Sequence, residues 1–151
     1  MKKLSVQMFV LMLLCFAFFI ETRAQVVSVA VKQEIRKQLS CERSQQEIES
    51  VKLGPGKDGF MGTCNGGGEA VLYEKSGRGI KKVLESSTQM NGSMQLGKKV
   101  YLGYYEVIVE AHGAAYFNAE TFRWNGARYV SNRCEMCDVT SQGDLRNCRP
   151  C

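Results

Sequence analysis

The sequence predicts an α+β domain: one N-terminal helix packed on a mostly antiparallel β-meander, with a short disulfide-rich C-terminal tail. Three observations carry this. Eight of the ten aromatic residues beyond residue 24 fall between Tyr101 and Tyr129. Aromatics carry the largest apolar side-chain areas, so the core of a small domain sits where they cluster. Eleven of the fifteen glycines lie between Gly54 and Gly97, where they read as turns between short strands. Six cysteines, Cys41, Cys64, Cys134, Cys137, Cys148 and Cys151, follow the first segment; an even number in a short exported chain reads as three disulfides.

Residues 1–24 have the three parts of a secretory signal peptide. Lys2 and Lys3 form a positive end, an apolar run follows from Met8 to Ile20, and in Thr22-Arg23-Ala24 small residues stand at the two positions a signal peptidase reads for cleavage after Ala24. That run is too short for a comfortable permanent membrane span. The expected mature chain, 25–151, is one domain's worth of sequence: a domain over 25–133 and a cysteine-rich tail over 134–151. The protein is expected to be secreted or periplasmic. Removing Lys2, Lys3, Arg23 and Glu21 lowers the net charge from +5 to +3, a mild excess that points to no nucleic acid, and no aromatic-plus-basic binding motif is present. Lys75, Arg78, Lys81, Lys82, Lys98 and Lys99 make the middle of the chain locally positive, which reads as a solvated face or as a surface for a polyanion.

In chain order, Val27, Val31, Ile35 and Leu39 fall four apart and predict one stripe of an amphipathic helix over 26–39, with Ser28 near its start as a cap. Ser44 and Glu47 fit a capping box, but the alternation in Glu49–Leu53 favours a strand ended by Gly54-Pro55-Gly56. Gly66-Gly67-Gly68 reads as a turn rather than a phosphate cradle, because a strand-like Glu69–Tyr73 follows where a helix would be needed. Ser76–Gly79 then joins strands Ala70–Glu74 and Ile80–Leu84, and Met90–Ser93 is a further tight turn. Gly113 divides the next strand pair, and Asn125-Gly126 predicts a type I′ hairpin. Both faces of that pair carry apolar residues, so it is expected to lie centrally, covered in part by the N-terminal helix.

Gly66–Tyr73, the basic strand Ile80–Leu84, Gly103–Val109 and the hairpin Phe122–Val130 together follow a pattern seen in many exported bacterial proteins of unknown function. The chain resembles a degenerate FG-GAP-type repeat over these residues. The resemblance implies an extracytoplasmic β-domain. Such repeats often carry an Asp-rich calcium loop, but Val51–Gly59 offers only Asp58 as an acid beside two lysines, and calcium needs six or more oxygens. The resemblance therefore carries no metal here, and the cysteine tail lies outside it.

The last four cysteines stand as two Cys-x2-Cys pairs, a spacing shared by disulfides and by a structural zinc held by Cys134, Cys137, Cys148 and Cys151. Disulfides are the expectation and no cofactor is called for; zinc is the alternative. Thiol–disulfide exchange is disfavoured, since Cys148–Cys151 ends the sequence and Asp138 follows Cys137, so neither pair opens a helix that would lower a thiol pKa. Six cysteines allow fifteen pairings; Cys41 with Cys64 would tie the helical part to the Gly-rich loop, and the tail would close most simply as Cys134 with Cys148 and Cys137 with Cys151.

His112 is the only histidine. With Glu106 or Glu110 as orienting carboxylate it is the one candidate general base, yet no nucleophile accompanies it. No nucleophile elbow, zinc-protease helix or phosphate loop is present, so an enzyme is disfavoured, and a hydrolase using His112 is the lesser alternative. The expected role is binding of a protein or glycan through aromatics, with Tyr101, Tyr104, Tyr105 and Tyr116 as the candidates.

Overall fold

The structure, a computed structural model, describes residues 27–88 and 92–151. The expected signal peptide and the first half of the Met90–Ser93 turn lie outside the described residues. Among the described residues, one short helix, α1 (Val29–Arg36), and a 3-10 turn (Arg43–Gln45) precede nine strands: β1 (Gln46–Gly54), β2 (Lys57–Cys64), β3 (Gly68–Ser76), β4 (Gly79–Thr88), β5 (Ser93–Tyr101), β6 (Tyr104–His112), β7 (Tyr116–Trp124), β8 (Tyr129–Val139) and β9 (Leu145–Pro150). They form two antiparallel up-and-down sheets, β1-β2-β3-β4 and β5-β6-β7-β8-β9. Within each sheet every strand pairs with its chain neighbours, as strands joined by short turns do, and the chain passes from one sheet to the other between β4 and β5.

The glycine-rich half and the aromatic half of the sequence thus become two sheets rather than one meander. Leu53, Met61, Ala70, Leu72, Val83 and Leu84 from the first pack against Met94, Tyr104, Val107, Val109, Phe122, Trp124 and Tyr129 from the second. Each sheet supplies one inward face, and neither could bury it alone.

The helix makes a third layer, on the outer face of the first sheet. Ser28 caps it, its Oγ accepting from Val31 N–H at 3.3 Å. Val27, Ile35 and Leu39 pack on Phe60, Val71 and Tyr73. The strand pair between Tyr101 and Arg133 does lie centrally in its sheet, as expected, but the helix does not cover it. The reason sits at Gly62: a Cβ there would come within 2.5 Å of Ile35 Cγ2, so the bare backbone of β2 forms the slot that seats the helix.

Two local expectations are corrected. Asn125-Gly126 does not make a two-residue type I′ turn. The strands close at Trp124 and Tyr129, leaving a four-residue loop in which Asn125 Oδ1 accepts from the N–H groups of Ala127 and Arg128, both at 3.0 Å. The asparagine side chain replaces a backbone acceptor and so stabilises the longer loop. The tail pairing also differs. Cys41 bonds Cys64 as expected, but Cys134 bonds Cys151 and Cys137 bonds Cys148. Strands β8 and β9 run antiparallel, with Glu135 opposite Pro150 and Met136 opposite Arg149. Antiparallel partners nest, so the outer cysteines face each other and the inner ones do likewise. The expected Cys134–Cys148 and Cys137–Cys151 bridges would need parallel strands. Cys134 and Cys137 fall within β8 itself, as a continuation of the sheet.

Candidate functional site

Four hairpin loops meet at one end of the paired sheets: β1–β2, β3–β4, β5–β6 and β7–β8. The approach of the two sheets there is close. A Cβ on Gly54 would lie 2.0 Å from Gly103 O, and Lys81 Nζ donates to Ala127 O at 3.0 Å. Just beneath the loops, Tyr104 stacks on Trp124 with ring centroids 3.9 Å apart, and Tyr129 meets both rings edge-on. Such offset and edge contacts add to area burial. The Tyr104 hydroxyl donates to Glu74 Oε1 at 2.5 Å, and the Tyr129 hydroxyl to Tyr105 O at 2.9 Å. Burial, and then the Glu74 carboxylate, push the Tyr104 phenol up to about 12. Burial chiefly, with Tyr104 and Glu74 adding charge repulsion, raises Tyr129 as well. Both rings are therefore neutral donors at physiological pH.

The β1–β2 and β3–β4 hairpins flank a shallow depression of about 320 Å³ lined by Gly56, Lys57, Asp58, Glu74, Lys75 and Gly77. A second cleft, about 300 Å³, lies where the edge of β4 meets β8, between Lys82, Glu85, Phe122, Arg128 and Tyr129. Lys57 Nζ stands 5.2 Å from the centroid of the Tyr104 ring, and the Arg123 guanidinium 4.1 Å from that of Tyr101. Both are cation–π distances.

The four tyrosines expected to bind are not one patch. Tyr104 is core. Tyr101 and Tyr105, each half-buried, lie toward the hairpin end, whereas Tyr116 sits at the opposite end of the sheet. The nine residues of β6 separate them, roughly 25 Å at the strand rise. His112 is exposed, its ring 4.8 Å from that of Phe117. Glu110 accepts instead from Ser93 Oγ at 3.4 Å, and Glu106 is buried beneath Gly97. Among the described residues no hydrogen bond joins His112 to a carboxylate or a hydroxyl.

The cysteines proposed as zinc ligands are held in the two nested bridges. Cys134 and Cys137 stand three apart on a regular stretch of β8, so they project from opposite faces. The ligand atoms of Glu135, Cys137 and Cys148 lie within 4.8 Å of one another, but a sulfur in a disulfide offers no thiolate to a metal.

Of the basic residues at these loops, Lys75 and Arg78 belong to the locally positive stretch of the sequence, whereas Lys57 and Arg128 lie outside it and join them only in the fold. Their signal is local: a cation follows Gly56, Gly77 and Ala127, at Lys57, Arg78 and Arg128, and the topology brings the three together. Compared with known proteins, the chain matches no family model, no curated protein and no solved structure.

Proposed function

We propose that this protein is an exported, disulfide-stabilised binding module of the cell envelope or extracellular space, bacterial in origin and FG-GAP-like in its strand pattern. It recognises a protein or glycan partner rather than turning over a substrate. One observation carries the reading: every cysteine from Cys41 onward is paired. Such bridges persist where the surroundings oxidise thiols, which agrees with the signal-peptide pattern of residues 1–24. Among the described residues no helix is long and apolar enough to cross a membrane. The partly exposed rings of Tyr101 and Tyr105 supply amphipathic contact area of the kind binding surfaces use.

The test is N-terminal sequencing of the protein from its host, together with intact mass before and after reduction. The expected chain starts at Gln25 and gains about six hydrogens on reduction, two for each bridge. A chain retaining Met1 with all its thiols free ends the proposal.

A further inference from the structure

Leu102 stands at the tip of the β5–β6 turn, 73% exposed, with φ at +51°. Left-handed backbone is uncommon for any residue but glycine and asparagine. A large apolar side chain there combines a backbone cost with an apolar surface left in water, at a site where asparagine would avoid both. Around it stand cations. Lys57, Lys75, Arg78 and Arg128 are exposed in or next to the three neighbouring loops, and the partly buried Arg123 lies over Tyr101, beside Leu102. Among the described residues none of the five has an ion-pair partner. The acids at this end are already engaged: Asp58 pairs with Lys52, and Glu74 accepts from Tyr104.

We infer that the hairpin end docks on an anionic phospholipid surface, with Leu102 entering the headgroup layer and the four exposed basic residues, Lys57, Lys75, Arg78 and Arg128, meeting lipid phosphates. An apolar tip ringed by unpaired cations fits a charged interface that covers hydrocarbon. A soluble polyanion would engage the cations but leave the leucine in water. The inference goes beyond the proposed module by giving it a place to sit. It rests on export only for the membrane to be within reach.

The test is co-sedimentation of the oxidised, exported protein with vesicles of phosphatidylcholine alone and of phosphatidylcholine mixed with phosphatidylglycerol. Binding is expected to the mixed vesicles only, weakening as salt rises. Lys75→Glu with Arg78→Glu lowers it by at least about fivefold for each basic residue lost. Leu102→Asn, which keeps the left-handed backbone, lowers it too. Arg146→Glu with Arg149→Glu, the same charge change on β9 at the opposite end, leaves it intact. Equal binding to both vesicles, no binding to either, or an equal loss in the β9 variant overturns the inference. So does full binding by Leu102→Asn, or polyphosphate binding that both wild type and Leu102→Asn share without any vesicle binding. These readings are made on purified protein, so they fail or hold independently of where the N-terminus is found.

Discussion

Tyr104 in β6 and Glu74 in β3 meet across the seam between the two sheets, the phenol donating to the carboxylate at 2.5 Å. It is a side-chain hydrogen bond that ties one sheet directly to the other, and the same ring stacks on Trp124. Tyr104→Phe keeps the stacking and leaves Glu74 without its donor. Because Glu74 is half-exposed, water partly replaces the hydroxyl, and the expected loss is about 1 kcal/mol. The denaturant midpoint measures it; an unchanged midpoint would show that the seam does not depend on this bond.

Alkaline pH should loosen the same joint. Tyr104 is raised from 10.0 to about 12, so the folded state holds its proton where the unfolded chain has lost it. Its contribution is therefore fully present below pH 10 and declines as pH rises toward about 12. Tyr73 and Tyr129 are raised in the same direction. Three of the six tyrosines should thus give their phenolate absorbance late, together with unfolding. Simultaneous titration of all six in a folded protein would contradict the buried joint.

Gly54 and Gly62 should respond differently to alanine. At Gly54 the new Cβ would meet the backbone carbonyl of Gly103 at 2.0 Å, and at Gly62 it would meet the side chain of Ile35 at 2.5 Å. A carbonyl fixed in the opposing hairpin yields less than a side chain on a short helix. Gly54→Ala is expected to cost about 3 kcal/mol and Gly62→Ala roughly 1–2 kcal/mol, within the usual range for overpacking. Thermal melts of the two variants should rank them in that order; the reverse order would mean that the helix, not the hairpin end, is the stiffer contact.

The three bridges should not be equal. Cys41–Cys64 closes a separate loop, with a sequence separation of 23, and replacing both cysteines by serine is expected to cost about 3 kcal/mol. Cys137–Cys148 closes a separation of 11 inside the 17 already closed by Cys134–Cys151. Once the outer bridge has formed, the inner one removes less chain entropy, so its loss should cost clearly less. Fragmentation of the unreduced tail by mass spectrometry should also report the nested pairing. Detection of Cys134 with Cys148 would refute the β8–β9 register.

Much of the fold was legible in the chain because its signals are local. Ser28 before a stripe of Val31, Ile35 and Leu39 marks a helix start whatever lies around it. Gly66–Gly68 and Gly77 mark turns because their positive φ is a property of the residue itself. The Asn125 loop was not legible in the chain because Asn-Gly is compatible with two turn geometries, and the choice falls to the asparagine side chain once β7 and β8 are in register.

The sequence by itself determined that this chain makes short antiparallel strands, where its aromatic core lies, and that six sulfurs are available to brace it. Tertiary structure alone decided that the strands divide into two facing sheets, that the helix lies on β2 over Gly62, that the tail bridges nest, and that Lys57, Arg78 and Arg128 share one end with Leu102. The division has a physical cause. Turn and strand preferences are set by a residue and its near neighbours. Which faces meet depends on burying two apolar surfaces against each other, a property of the folded whole that no single stretch of the chain contains.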